Sequence, residues 1–185
     1  DDKSLKTEDT IDLFYKDNPI LNLPNVEYGG TGFYYDRSPK LSVDIEHIMP
    51  DYSLYGIEDT AYGFMSRGCP RGCDFCHVEA KEGRCSKKVA DLSEFWSGQK
   101  NIVLMDPNTL ACKEWKDILI QLKQSNAYVD FNQGIDIRLI TDEKVELLKR
   151  IKIKLIHFAF DRYQDKEIIM NKMRMLKEKT GWKHS

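Results

Sequence analysis

Three cysteines fall within eight residues of the segment "SRGCPRGCDFCHV" (66–78): Cys69, Cys73 and Cys76, at Cys-x3-Cys-x2-Cys spacing. Thiolates are soft ligands, and three on one short stretch suit a metal centre better than a disulfide framework. Gly68, Pro70 and Gly72 keep the segment out of helix and strand, which leaves the three sulfurs free to turn toward one point. A four-iron, four-sulfur cluster prefers sulfur ligands, and three of them leave one iron with an open position. An open position separates a reactive metal site from a purely structural one. Structural zinc is the alternative, with His77 or Cys85 as fourth ligand, but the second ligand pair that zinc sites commonly use is missing. Incidental thiols at this density are the remaining reading.

The rest of the composition narrows the setting. Of five cysteines, Cys85 and Cys112 lie outside the cluster of three, and the count is odd. The first residues, "DDKSLKTEDTIDLF", have no secretion pattern, so a reducing, cytoplasmic location is expected. With 41% hydrophobic and 31% charged residues and a net charge of −2, the 185-residue chain reads as globular, without a global basic field for nucleic acid. A local basic patch would escape that averaging. No apolar run approaches the roughly 18 residues of a membrane helix, so no membrane partner is expected.

The elements that must position the cysteines follow from periodicity. Residues 1–22 are charged and weakly patterned, and the Gly- and Pro-rich stretch after them reads as turn and linker. "GGTG" (29–32) reads as a turn, because no helix opens behind it to bind phosphate. From residue 59 strands and helices alternate: strands over 60–66, 101–106, 127–133 and 154–160, helices over 90–98, 112–124, 141–151 and 165–179. Asp91 and Thr141 are the expected N-caps of the first and third helices. Such alternation implies right-handed βαβ units and a parallel α/β sheet. Four units do not close an eight-stranded barrel of about 250 residues, so the sheet is open or the chain is a fragment. The cysteine loop follows the first strand, on the carboxyl side where sites of parallel sheets gather. Asp106 and Asn108 follow the second strand; Gln133, Asp136 and Arg138 the third; Asp161 the fourth. His157 reads as a packed histidine, and Met170, Met173 and Met175 as core at helical spacing.

Cys69-Pro-Arg-Gly-Cys73-Asp-Phe-Cys76 after a strand resembles the signature of the radical S-adenosylmethionine (radical SAM) superfamily, with Phe75 as its aromatic before the last cysteine. The resemblance runs from about residue 28 to the end. "VDFNQGIDIRLITDEKVELLKR" and "IHFAFD" are similar to the third strand, third helix and fourth strand of members with an N-terminal cobalamin-binding-type domain. "YGGTGF" and "PDYSLYG" are similar to the junction between that domain and the barrel. The implied division is 1–58 as a remnant and linker of the upstream domain, and 59–185 as a core ending after the fourth unit. The implied fold is an open, partial (βα) barrel with about four βα units. Cobalamin is not supported, since no Asp-x-His-x-x-Gly is present.

The resemblance also implies roles. Cys69, Cys73 and Cys76 would hold a [4Fe–4S] cluster whose fourth iron chelates S-adenosylmethionine. One electron then cleaves the sulfonium, and the resulting 5′-deoxyadenosyl radical abstracts hydrogen from a substrate that the sequence does not name. A reductant such as a flavodoxin or ferredoxin is the implied partner. Phe75 would lie beside the adenine. The Gly-Gly-Glu-type motif that binds the methionine amino group is absent, so Asp106 or Asn108 would supply the acceptor, or both serve a turn and helix cap. Arg138 would pair with a carboxylate, or with Asp136. Asp161 would meet the ribose hydroxyls, or cap a helix. A zinc- or iron–sulfur-stabilised module for binding or electron transfer, without catalysis, is the alternative function.

Overall fold

The computed structural model describes residue 24 and residues 42–182, so the expected turn at 29–32 and most of the expected upstream remnant lie outside the described residues. The described residues form six strands: β1 (Thr60–Gly63), β2 (Ser66–Arg67), β3 (Lys87–Lys88), β4 (Asn101–Leu104), β5 (Tyr128–Ile135) and β6 (Lys152–Phe158). The helices are α1 (Val43–Glu46), α2 (Val78–Glu82), α3 (Trp115–Ser125), α4 (Asp142–Leu148) and α5 (Lys166–Thr180). Four strands form one sheet, parallel throughout, in the order β1-β4-β5-β6. The chain is therefore α/β, and each large strand pairs with the next one along the sequence.

Period-two alternation explains which face is covered. Ala61, Ile102, Leu104, Val129 and Phe131 point into the core. Register aligns Tyr62, Val103, Asp130 and Leu155 across the same four strands, and of these Tyr62 and Leu155 are exposed. The run "NIVLMD" is thus covered on one side only. Against the covered side α3 sets Ile118, Leu119 and Leu122, on the spacing expected of an amphipathic helix, and stops at Asn126, which takes a left-handed conformation (φ 56°). Thr141 caps α4, its hydroxyl accepting from Lys144 N at 3.4 Å, with Asp142 and Glu143 in the first turn. The free edge of β1 is occupied by Tyr52, whose hydroxyl accepts from Tyr62 N (2.9 Å) and donates to Phe95 O (2.7 Å).

Several elements depart from the expectation. The helix expected over 90–98 is a single 3₁₀ turn, Leu92–Glu94. Its N-cap is made as expected, with Asp91 N donating to Glu94 Oε1 at 2.8 Å. The helix cannot continue because the Phe95 ring lies against β1, so close that a Cβ on Gly63 would meet it at 2.3 Å. The second helix starts at Trp115 rather than 112, since Thr109–Ala111 form their own 3₁₀ turn. The last strand lies two residues earlier than expected and forms the sheet's other edge. His157 on it is exposed, not packed, and Met170 is likewise half exposed, whereas Met173 and Met175 pack on the core. No helix among the described residues is long and apolar enough to cross a membrane.

Candidate functional site

The cysteines occupy a long excursion between β2 and β3, closed at its base by an antiparallel ladder pairing Ser66 with Lys88 and Arg67 with Lys87. Asp106, just past β4, fixes that base. Its carboxylate accepts from Met65 N (2.7 Å), Ser66 Oγ (2.6 Å) and Thr109 Oγ1 (3.3 Å). Burial pushes the Asp106 carboxyl up to about 6, against the downward pull of these donors. Both oxygens serve the loop's foundation, which is the turn-type role rather than that of an open acceptor.

Within the excursion the backbone is pinned by α2 and the residue after it. Glu82 accepts from Gly68 N (3.0 Å) and Arg67 Nη1 (3.1 Å), and Gly83 O accepts from Cys69 N (3.1 Å). Gly68 has φ +86°, and a Cβ there would lie 2.3 Å from the Cys85 carbonyl oxygen, so only glycine fits this crossing. Cys76 N donates to Cys73 O at 2.9 Å, which folds the last two cysteines into one turn.

Segments beyond the other strands meet this loop. Arg71, between the first two cysteines, pairs with Asp136 beyond β5. Asp136 also accepts from Arg138 Nε at 2.7 Å, and Arg138 in turn pairs with Asp165. Burial would raise the Asp136 carboxyl, but Arg138 and Arg71 together hold it below the usual range. Beyond β4, Asn108 Nδ2 lies 3.5 Å from Cys69 Sγ. The Cys73 thiol is pushed up by burial first, then by the charges of Asp161, Cys69 and Cys76, while Arg138 pulls it down. Residues after β1, β4, β5 and β6 are thus within electrostatic or hydrogen-bonding reach of one three-cysteine loop.

Each expected residue has a definite place. Cys69 and Cys73 are part-buried, Cys76 exposed, and none is in a disulfide. Phe75 is 70% exposed. Asn108 is buried, with Oδ1 lacking a partner, at a cost of about 1–3 kcal/mol for an unmet acceptor. Arg138 is engaged by two carboxylates, and Asp161 is exposed. Gln133 lies within β5, exposed, rather than beyond it. Cys85 lines a separate cavity of about 610 Å³ with Ser86, Lys88 and Asp91. Cys112 is buried and its thiol is pushed up to about 11 by that burial. The donor set therefore suits a thiolate-ligated cluster in kind: three unpaired thiols on one loop, with an amide donor on one sulfur. Among the described residues, no three His, Cys, Asp or Glu side chains stand already grouped to hold a metal ion.

Sequence reasoning overlooked Arg71, Glu82 and Lys144. Lys144 is buried, with Nζ donating to Leu110 O and Leu139 O at 3.0 Å each, and burial lowers its ammonium. The signal for Arg71 was its place inside the cysteine motif; Lys144 gave none. Compared with protein-family models, with curated proteins and with solved structures, the chain gives no match in any of the three.

Proposed function

We propose that this chain is the cluster-binding part of a radical S-adenosylmethionine enzyme, on an open, partial (βα) barrel of about four units. One observation carries the reading: at the carboxyl ends of the strands of a sequentially ordered parallel sheet, a loop with three free thiols is met by polar groups from the segments after the other three strands. Cys69, Cys73 and Cys76 are the residues that would hold the cluster. A [4Fe–4S] cluster held there, once reduced by an external electron donor, would supply the one electron that cleaves the sulfonium of S-adenosylmethionine and starts hydrogen abstraction.

The chain's own residues do the positioning. Asp106 and Glu82 fix the base of the loop, and the Arg71–Asp136 pair ties its middle to the sheet. Burial, and then the charges of Asp161, Cys69 and Cys76, disfavour ionisation of the Cys73 thiol, and a cation bound there would reverse that balance. Phe75 offers an open ring for a nucleobase, and Asp161 an open carboxylate for hydroxyls. Arg138 would reach a substrate carboxylate only by giving up Asp136 or Asp165. The test is anaerobic reconstitution of the full protein with iron and sulfide, then reduction with S-adenosylmethionine present. A broad sulfur-to-iron absorbance and release of 5′-deoxyadenosine are expected. Failure to take up iron ends the cluster reading, and a cluster without 5′-deoxyadenosine ends the enzyme reading in favour of electron transfer.

A further inference from the structure

We propose that Asn108 is a positioning residue for the first cysteine: its side-chain amide donates to Cys69 Sγ and sets the reduction potential of the cluster that Cys69 would hold. The inference rests on the cluster reading above and adds a residue to it. From sequence, Asn108 was expected to offer an acceptor or to cap a turn. In the structure its donor end faces the sulfur, with Nδ2 at 3.5 Å from Sγ. The residue is 3% exposed, and its own carbonyl oxygen accepts from Ser86 Oγ at 3.0 Å and Ala111 N at 3.2 Å. The side chain therefore hangs from a backbone held on two sides, and Ser86 itself is buried at the loop's returning end.

Chemistry fixes the amide's sense. A thiolate accepts hydrogen bonds, and the amide oxygen turned toward it would set lone pair against lone pair. The oxygen instead points where no partner among the described residues meets it, so the contact with sulfur is the one hydrogen bond this side chain makes among them. Hydrogen bonds to cluster sulfurs are among the determinants of potential, because they stabilise the more electron-rich reduced state.

Asn108→Ala and Asn108→Asp, reconstituted beside the wild type, test this by redox titration followed by electron paramagnetic resonance. Both variants should have a more negative midpoint, the Asp variant the more so, because it replaces a donor with a negative acceptor. A packing role alone would lower thermal stability and leave the midpoint where it is. The contact is also read without iron: in the metal-free protein, Cys69→Ala should shift the Asn108 side-chain amide proton upfield in a nitrogen–proton correlation spectrum. An unmoved amide resonance, or midpoints equal to wild type, overturns the assignment of Asn108 while leaving the cluster reading intact. Wild-type protein that takes up no iron overturns both.

Discussion

Arg71, between the first two cysteines of the loop, is ion-paired to Asp136, 65 residues later and just beyond β5. The carboxylate is 6% exposed and also carries Arg138, so one buried acid anchors a guanidinium from the loop and another from its own turn. Replacing Asp136 leaves both cations facing an uncharged group in a part-buried place. Asp136→Asn is expected to cost roughly 3 kcal/mol, and Arg71→Ala roughly 1 kcal/mol because that arginine is 27% exposed. Urea unfolding of the two variants checks the order. Because the folded carboxyl is held low, this contribution is complete above the unfolded pKa and is lost as pH falls through the folded one. A variant Asp136→Asn as stable as wild type would show that this carboxylate does not anchor the loop.

Asp106 has the opposite sign. Its folded pKa is raised to about 6 from the ordinary 3.8, so between those values the native state binds more protons than the unfolded chain. Stability from this group therefore falls as pH rises from about 4 to about 6 and is level above, by roughly 3 kcal/mol at most. Groups held low, such as Asp136, push the other way at acid pH, so the difference between wild type and Asp106→Asn isolates the effect. The stability of wild type relative to that variant, measured by urea unfolding across this range, should rise as pH falls. A constant difference would mean that Asp106 titrates normally despite its burial.

The sheet was legible because its signal is periodic: apolar runs such as "NIVLMD" and the spacing of Ile118, Leu119 and Leu122 each point to one element. The expected helix over 90–98 shows where that fails. Its cap at Asp91 and Glu94 formed, yet Phe95 left the helix to lie on Gly63, a tertiary contact that no local window carries. The β2–β3 ladder is two residues long, below the length at which alternation can be seen. At the site, residue types at strand ends were readable, but their pairing was not. That Arg138 would be occupied by Asp136 and Asp165, or that Asn108 would turn its donor to Cys69, depends on distances set by the fold.

Two glycines of the loop separate backbone strain from crowding. Gly68 and Gly83 both have positive φ, +86° and +91°, but a Cβ on Gly83 meets nothing within 4 Å whereas one on Gly68 strikes the Cys85 carbonyl. Gly83→Ala should cost about 1–2 kcal/mol from the left-handed backbone alone. Gly68→Ala should cost more than about 3 kcal/mol, since a backbone atom must also move. Thermal unfolding gives the comparison, and equal losses would count against the close crossing of Gly68 and Cys85.

The five cysteines divide by environment, and that division predicts which of them matter for iron. Cys69, Cys73 and Cys76 share one electrostatic neighbourhood, shown by the influence of the first and third on the thiol of the second. Cys85 Sγ instead lies 3.8 Å from Ser86 O on the wall of a separate cavity. Cys112 is 1% exposed with its thiol 3.2 Å from Glu114 Oε2, and a thiol pushed up to about 11 is a poor ligand at neutral pH. Cys73→Ala, and likewise Cys69→Ala and Cys76→Ala, should abolish cluster assembly, while Cys85→Ala should leave iron and sulfide content unchanged. Cys112→Ala should lower stability by roughly 1–2 kcal/mol through lost packing and keep its iron. A fourth thiolate would close the open iron on which the proposed chemistry depends, so iron lost from the Cys85 variant would refute both the ligand set and the reaction built on it.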